Sequence, residues 1–342
     1  MIREAIAKLT AGEDLSAEEA AEVMAEIMDG AATPAQIGAF LVALRMKGET
    51  ADEITGMARV MRARCRRVEG LTGLVDTCGT GGDGFGTFNI STAAAFVVAG
   101  AGLKVAKHGN RAMSSRCGSA DVLEALGVKV DLEPEDVAAC IREEGIGFLF
   151  APLYHPAMKH AAGPRREVGI RTVFNWLGPL TNPAGAEYQV LGVADPAAAP
   201  KLAQALQNLG TRRAFVVHGH DGVDEISISA PTTVYDVSPD GIRKFVLSPE
   251  ELGFKRASLM EVAGGTAALN AVLVREALTG VPGPRRDVVV LNAAAALVVG
   301  GLAEDFREGV ELARRSIDTG AARARLEGLI ARSRMLGLPK GH

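Results

Sequence analysis

Leu74-Val75-Asp76-Thr77-Cys78-Gly79-Thr80-Gly81-Gly82-Asp83-Gly84-Phe85-Gly86-Thr87, followed by Phe88-Asn89-Ile90-Ser91-Thr92, decides the fold. Leu74-Val75-Asp76 reads as a short buried strand that runs into a loop in which glycine recurs. Ala93 to Val98 then continues as an apolar helix. Strand, glycine-rich loop and helix in that order are the unit of a parallel α/β sheet. Glycine lets the backbone bend and bring its amide N–H groups close to an anion. The helix that follows offers unpaired N–H groups and a partial positive charge at its start. Asn89, Ser91 and Thr92 add side-chain donors, so the stretch points to a phosphate or diphosphate site. A tight turn capped by Ser and Asn would use the same residues. The run lacks the GK[ST] ending of a Walker loop and does not match GxGxxG.

Downstream the pattern repeats. Lys104 to Lys107 is a second strand, then come a loop and a helix near Asp121 to Leu126. Further strands are expected at Phe148 to Phe150, Tyr188 to Val193 and Ala214 to Val217, with an Ala- and Leu-rich helix, Ala197 to Leu209, between the last two. Val234 to Val237 and Ile242 to Val246, joined by Pro239-Asp240-Gly241, read as a hairpin that adds an antiparallel element. Helices around Thr266 to Thr279 and Arg286 to Val299 precede a polar C-terminal helix. Upstream the signals are helical only. Ser16 with Glu19, and Thr50 with Glu53, form capping boxes; Thr33, Pro34 and Gln36 fill N-cap, N1 and N3 of a helix between them. The expected architecture is α/β: a small helical domain over residues 1–71, then an α/β domain over 72–342 with a mostly parallel sheet. Gly163-Pro164 and Asn182-Pro183 are the expected crossings between the lobes.

Composition sets bounds on function. Glycine contributes 40 of 342 residues, above the usual ~7%. The net charge of −4 argues against a nucleic-acid partner, which calls for a basic face. Cys65, Cys78, Cys117 and Cys140 have no zinc-type spacing and read as free thiols in a reducing compartment. Met1 to Thr10 lacks the apolar core of a signal peptide, and the stretch Val288 to Val299 is too short to span a bilayer. The expectation is a cytoplasmic protein with no membrane partner.

Three further clusters carry chemistry. Lys107-His108-Gly109-Asn110-Arg111, with Ser114, Ser115, Arg116 and Ser119 after it, gathers cations and hydroxyls at the end of a strand, where open α/β sheets place ligands. Asp224-Glu225 follows the strand Ala214 to Val217. Two hard oxygen ligands plus substrate phosphates are how Mg²⁺ is usually held, although a solvated acidic turn would look the same. Gly163-Pro164-Arg165-Arg166, with Arg171 beyond, could clamp a carboxylate or simply form surface ion pairs.

At these residues the chain resembles the anthranilate phosphoribosyltransferases, nearly end to end. The shared runs are GTGGD at Gly79 to Asp83, NIST at Asn89 to Thr92, KHGNR at Lys107 to Arg111 and GSADVLEALG at Gly118 to Gly127. They continue with GIRTVFN at Gly169 to Asn175, LGPLTNPA at Leu177 to Ala184 and DEIS at Asp224 to Ser227. The resemblance implies a helical domain joined to a larger α/β domain, with substrates at a hinge near 163–183 and a homodimer formed through the helical domain. It implies transfer of phosphoribose from 5-phosphoribosyl 1-diphosphate to anthranilate in tryptophan synthesis. By resemblance the diphosphate substrate meets Gly79, Gly82, Asp83, Thr87, Asn89, Ile90, Ser91 and Thr92. A second wall would comprise Lys107, His108, Gly109, Asn110, Arg111, Ala112, Met113, Ser114, Ser115 and Ser119. Gly79, Asn110 and Arg165 would contact anthranilate, with His108, His155 and Gly178 lining the mouth. Ser91, Asp224 and Glu225 would bind magnesium, two ions per subunit. No general base is implied, and anthranilate synthase chains would be separate partners. The rivals are a pyrimidine nucleoside phosphorylase-like enzyme and a non-catalytic nucleic-acid-binding relative; the Asp224-Glu225 doublet and the KHGNR loop speak against the first, and the excess of acidic over basic residues, 41 to 37, with the doublet intact, speaks against the second.

Overall fold

The computed structural model describes residues 1–112 and 116–338. It opens with four helices, α1 (Ile2–Thr10), α2 (Ala17–Met28), α3 (Pro34–Lys47) and α4 (Ala51–Arg64). All three expected starts are formed. Ser16, Thr33 and Thr50 each accept the N3 backbone N–H, and Glu19, Gln36 and Glu53 reach back to the N-cap N–H. Glu53 does more than cap. Fully buried, it also accepts the Leu15 N–H at 3.0 Å and pairs with Lys47 at 3.0 Å. Removing Glu53 would leave the buried Lys47 ammonium with only the exposed Asp14 as an ion-pair partner and the Leu15 N–H without its acceptor. Glu53→Ala should therefore lower unfolding free energy by roughly 3 kcal/mol, read as a drop in the urea midpoint; a change within experimental scatter would contradict that role.

The α/β part runs β1 (Leu74–Gly79), α5 (Ile90–Ala101), β2 (Lys104–Gly109), α6 (Ser119–Leu126), α7 (Pro134–Glu144) and β3 (Ile146–Phe150). The short α8 (Ala151–Tyr154), α9 (Lys159–Val168) and α10 (Phe174–Leu177) come next. After them follow β4 (Tyr188–Gly192), α11 (Ala199–Asn208), β5 (Arg213–Gly219), β6 (Thr232–Ser238) and β7 (Gly241–Leu247). Four helices finish the chain: α12 (Ala267–Leu278), α13 (Pro284–Val299), α14 (Phe306–Asp318) and α15 (Ala321–Leu336). The seven strands lie in the order β3-β2-β1-β4-β5-β6-β7. All pairings up to β5 are parallel, and β6 and β7 add antiparallel. Strand order reverses between β1 and β4, and the crevice beyond their C-terminal ends is where such sheets bind ligands.

Alternation along the central strands divides the interior in two. Val190, Phe215 and Val217 join the core built with α5 and α13. Leu191, Val193, Ala214 and Val216 join a second core with α11 and the N-terminal helices. Into that second core the chain returns after β3: Ala161, Val173, Phe174, Trp176, Leu177 and Leu180 pack there. This corrects one expected crossing. Gly163-Pro164 lies inside α9, which packs on α3, not between lobes. The proline is accommodated in a short helix at the cost of one backbone bond. The passes between lobes lie side by side instead. Arg66 N–H donates to the Tyr154 carbonyl at 2.8 Å, and Val68 N–H to the Pro183 carbonyl at 3.2 Å. Among the described residues no helix is long and apolar enough to cross a membrane.

Candidate active site

Gly79 and Gly192 end β1 and β4 as paired residues at the reversal of strand order. Both must lack a side chain, because the segment carrying Asp224 presses on them. A Cβ at Gly192 would lie 1.6 Å from the Asp224 carbonyl oxygen, and one at Gly79 would lie 2.4 Å from Asp224 Oδ2. Gly81 N–H then donates to Asp224 Oδ2 at 2.7 Å, and Ser91 N–H, in the first turn of α5, donates to Glu225 Oε1 at 3.2 Å. The glycine-rich loop and the acidic doublet, distant in sequence, thus meet through hydrogen bonds. Lys107, buried at the end of β2, donates to the Thr77 carbonyl at 2.6 Å and reaches Ser91 Oγ at 3.4 Å.

Electrostatically this floor gathers more carboxylate than Lys107 and Arg171 offset. Burial, reinforced by Asp83, pushes the Asp224 carboxyl up to about 6. Burial and the neighbouring Asp224 hold Glu225 well above the ordinary carboxylate range. Asp83 Oδ2 is buried and has no partner. Among the described residues no three His, Cys, Asp or Glu side chains gather as a metal site. Two carboxylates and a hydroxyl suit a hard cation whose remaining positions come from phosphates and water.

A cavity of about 690 Å³ opens over this floor. It is lined by all the residues expected to meet the diphosphate substrate, except that Met113, Ser114 and Ser115 lie outside the described residues. Several of those side chains are already engaged, Asn89 and Arg111 among them. Asn89 Nδ2 donates to the Cys117 carbonyl and Asn89 Oδ1 accepts from Asn270, so the amide holds α5 to α12. Arg111 is paired with Glu124 and Asp121 on α6.

An adjoining cavity of about 450 Å³ shares Gly79, His108, Asn110 and Arg165 with the first and adds His155 and Gly178. All six residues expected around anthranilate are therefore together. Arg165 comes from the last turn of α9 and lies over the Phe174 ring, 4.9 Å from its centroid. No acidic side chain among the described residues pairs with it, which leaves its donors for a ligand carboxylate. Sequence reasoning missed Phe174 and Met158 on this wall; the FN of the GIRTVFN run was the available signal for the first.

His108 and His155 face each other with ring centroids 5.2 Å apart. Burial, helped by the neighbouring imidazole, drives His108 down to about 3, and burial drives His155 to about 4. Both rings are neutral at pH 7 and too weakly basic to retain a proton. Below the ordinary value of 6.5 the unfolded chain takes up a proton that folded His155 refuses until about pH 4. Its contribution to stability is full above that ordinary value and is lost as pH falls towards 4. Between pH 7 and pH 4.5, His155→Gln should lose less unfolding free energy than wild type, by roughly 2 kcal/mol. Parallel urea curves at both pH values would refute this.

Two family models match the chain. One described as glycosyl transferase family, helical bundle domain, covers residues 3–65, and one described as glycosyl transferase family, a/b domain, covers residues 71–323. Curated anthranilate phosphoribosyltransferases from Chloroflexus aurantiacus and Moorella thermoacetica are 61% and 58% identical over 335 residues. Those alignments cover 97% of this chain and 99% and 98% of the relatives. The crystal structure of anthranilate phosphoribosyltransferase from Thermus thermophilus matches with a TM-score of 0.91 and 48% identity, covering 96% of this chain and 99% of that one. The Saccharomyces cerevisiae anthranilate phosphoribosyltransferase in complex with PRPP and Mg matches with a TM-score of 0.89 and 30% identity, over 98% of both chains.

Proposed function

Because the chain belongs to the anthranilate phosphoribosyltransferase family, we propose that its glycine-rich loop and acidic doublet grip the diphosphate of the sugar substrate while Arg165 holds anthranilate. The enzyme transfers the phosphoribosyl group of 5-phosphoribosyl 1-diphosphate to the amine of anthranilate. The products are N-(5-phosphoribosyl)anthranilate and diphosphate, a step of tryptophan biosynthesis that uses Mg²⁺. One observation carries the residue assignment: the Gly81 N–H bond to Asp224 places loop and doublet in a single cavity. The direct test is loss of anthranilate fluorescence on adding 5-phosphoribosyl 1-diphosphate, with and without Mg²⁺. Unchanged fluorescence with both present would reject the reaction.

The chemistry is displacement at the anomeric carbon. The bond from C1 to the diphosphate oxygen breaks, the amine nitrogen bonds C1, and the nitrogen then releases a proton to solvent. Positive charge develops on the sugar and negative charge on the leaving group, so stabilising the diphosphate matters most. Gly82 and Asp83 line the cavity that would take it, and we assign their backbone N–H groups as its donors. Ser91, Asp224 and Glu225 are the groups we assign to Mg²⁺, two ions per subunit, supported by the excess of buried carboxylate oxygen described above. Bound Mg²⁺ supplies positive charge against the leaving diphosphate. Anthranilate's aryl amine is neutral near pH 7, and the two buried imidazoles are poor proton acceptors. We therefore assign no general base; His108 and His155 wall the aromatic pocket. Arg165 and Asn110 orient the nucleophile, which converts binding into reactive geometry.

We also assign a homodimer formed through the N-terminal helices, on which Met46 stands 83% exposed. Four unpaired thiols fit a reducing, cytoplasmic setting.

A further inference from the structure

Arg171 is a cation that neither the sugar-phosphate nor the anthranilate assignment uses. It stands two residues beyond Gly169, whose left-handed turn (φ 69°) ends α9 and whose N–H donates to the Arg165 carbonyl. Its backbone is fixed from behind. Thr172 N–H donates to Asn175 Oδ1 at 2.9 Å, and Val173 and Phe174 are buried in the core shared with the N-terminal helices. The side chain nevertheless leaves that lobe and reaches the glycine-rich loop on the other. Arg171 Nη2 donates to the Thr80 carbonyl at 3.2 Å. Arg171 Nη1 occupies the place where residue 82 would carry its side chain, 1.4 Å from an ideal Cβ. Gly82 is thus required by its φ of +77°, and any side chain there would displace the guanidinium beside it.

The loop at that point has few other restraints. Thr80 is held by its N–H to the Gly192 carbonyl at 2.9 Å and by its hydroxyl, which accepts the Ala194 N–H at 3.3 Å. The next residue, Gly81, donates to Asp224 Oδ2. A push on Thr80 or Gly82 is therefore transmitted to a carboxylate of the proposed metal site. Arg165, in the anthranilate pocket, and Arg171, on the diphosphate loop, lie on one short turned segment.

We propose that Arg171 is a positioning residue that bridges the lobes, fixing the glycine-rich loop over the diphosphate and linking occupancy of the anthranilate pocket to the grip on the sugar substrate. The proposal rests on the assignment of that loop to the diphosphate. Coupling between two sites is reciprocal, so each substrate should tighten the other through this residue. In Arg171→Gln the KM for 5-phosphoribosyl 1-diphosphate should rise about tenfold. The anthranilate KM at saturating sugar substrate should stay within about twofold, as befits a residue outside that pocket. A merely structural loss would not move a further readout. In wild type, raising the sugar substrate through its KM should lower the apparent anthranilate KM; in Arg171→Gln that dependence should vanish. Arg171→Lys, which keeps a donor, should recover part of both effects. Gly82→Ala intrudes on the same space, so its loss should be non-additive with that of Arg171→Gln. An unchanged KM for the sugar substrate in Arg171→Gln, or an intact substrate dependence, would overturn the bridge. A wild-type protein inactive in the fluorescence assay would overturn the reaction itself, so the two failures are distinguishable.

Discussion

Asp224→Asn combined with Glu225→Gln should reduce kcat/KM by at least about a thousandfold, abolish the response to Mg²⁺ and leave the protein no less stable. The size follows from losing the charge that holds the ion against the leaving group, where removing even one transition-state donor costs about 10²–10³ in rate. The stability half of the expectation is what separates this pair from structural residues. Both carboxylates stand above their ordinary range because burial opposes their charged forms, with Asp83 adding to the effect on Asp224 and Asp224 to that on Glu225. Without a bound cation they burden the fold, and their neutral isosteres keep the shape. The double variant should therefore melt at or above the wild-type temperature when neither has Mg²⁺, while only the wild type gains from added Mg²⁺ and substrate. A double variant that retains its magnesium response would refute the metal assignment. One that is inactive because it unfolds would place the pair in the scaffold instead.

Arg165→Ala should raise the anthranilate KM roughly a hundredfold, since truncating one partner of a buried, hydrogen-bonded charge pair costs about 2–5 kcal/mol. The KM for 5-phosphoribosyl 1-diphosphate should move by no more than about threefold on the same reasoning, because the effect is confined to one substrate. Burial lowers the Arg165 pKa, and the Phe174 ring beneath it is the contact that holds the guanidinium. Arg165→Lys should fall between, having charge without the planar fork that meets a carboxylate at two points. Steady-state kinetics with each substrate varied in turn decides the matter; equal losses for both substrates would mean that Arg165 supports the site as a whole.

Much of the fold was legible because its signals are local. Ser16, Thr33 and Thr50 announce their helices through a partner three residues on. The unbroken apolar run Ala214 to Val217 announces a strand covered on both faces. The Pro134–Glu144 helix was passed over although Pro134 stands at its N1 position. The site residues were found by type and by position at strand ends. What they do with their hydrogen bonds was not, as Asn89 shows: its partners Cys117 and Asn270 are 28 and 181 residues away. The course of residues 156–180 was the larger miss. Ala161 and Trp176 look like ordinary apolar residues of an α/β chain. Only packing against the N-terminal helices, more than a hundred residues upstream, assigns them to that side.

That return of the chain bears on attempts to recombine these enzymes. A chimera that exchanged the first 65 or so residues alone would graft a bundle without the pieces that complete its interior, Ala161 and Trp176 among them. It would also part the donor scaffold from the stretch bearing Arg165. The natural unit of exchange is discontinuous: the leading helices together with residues 156–180, cut where neighbouring strands of chain run abreast at Arg66, Tyr154 and Pro183.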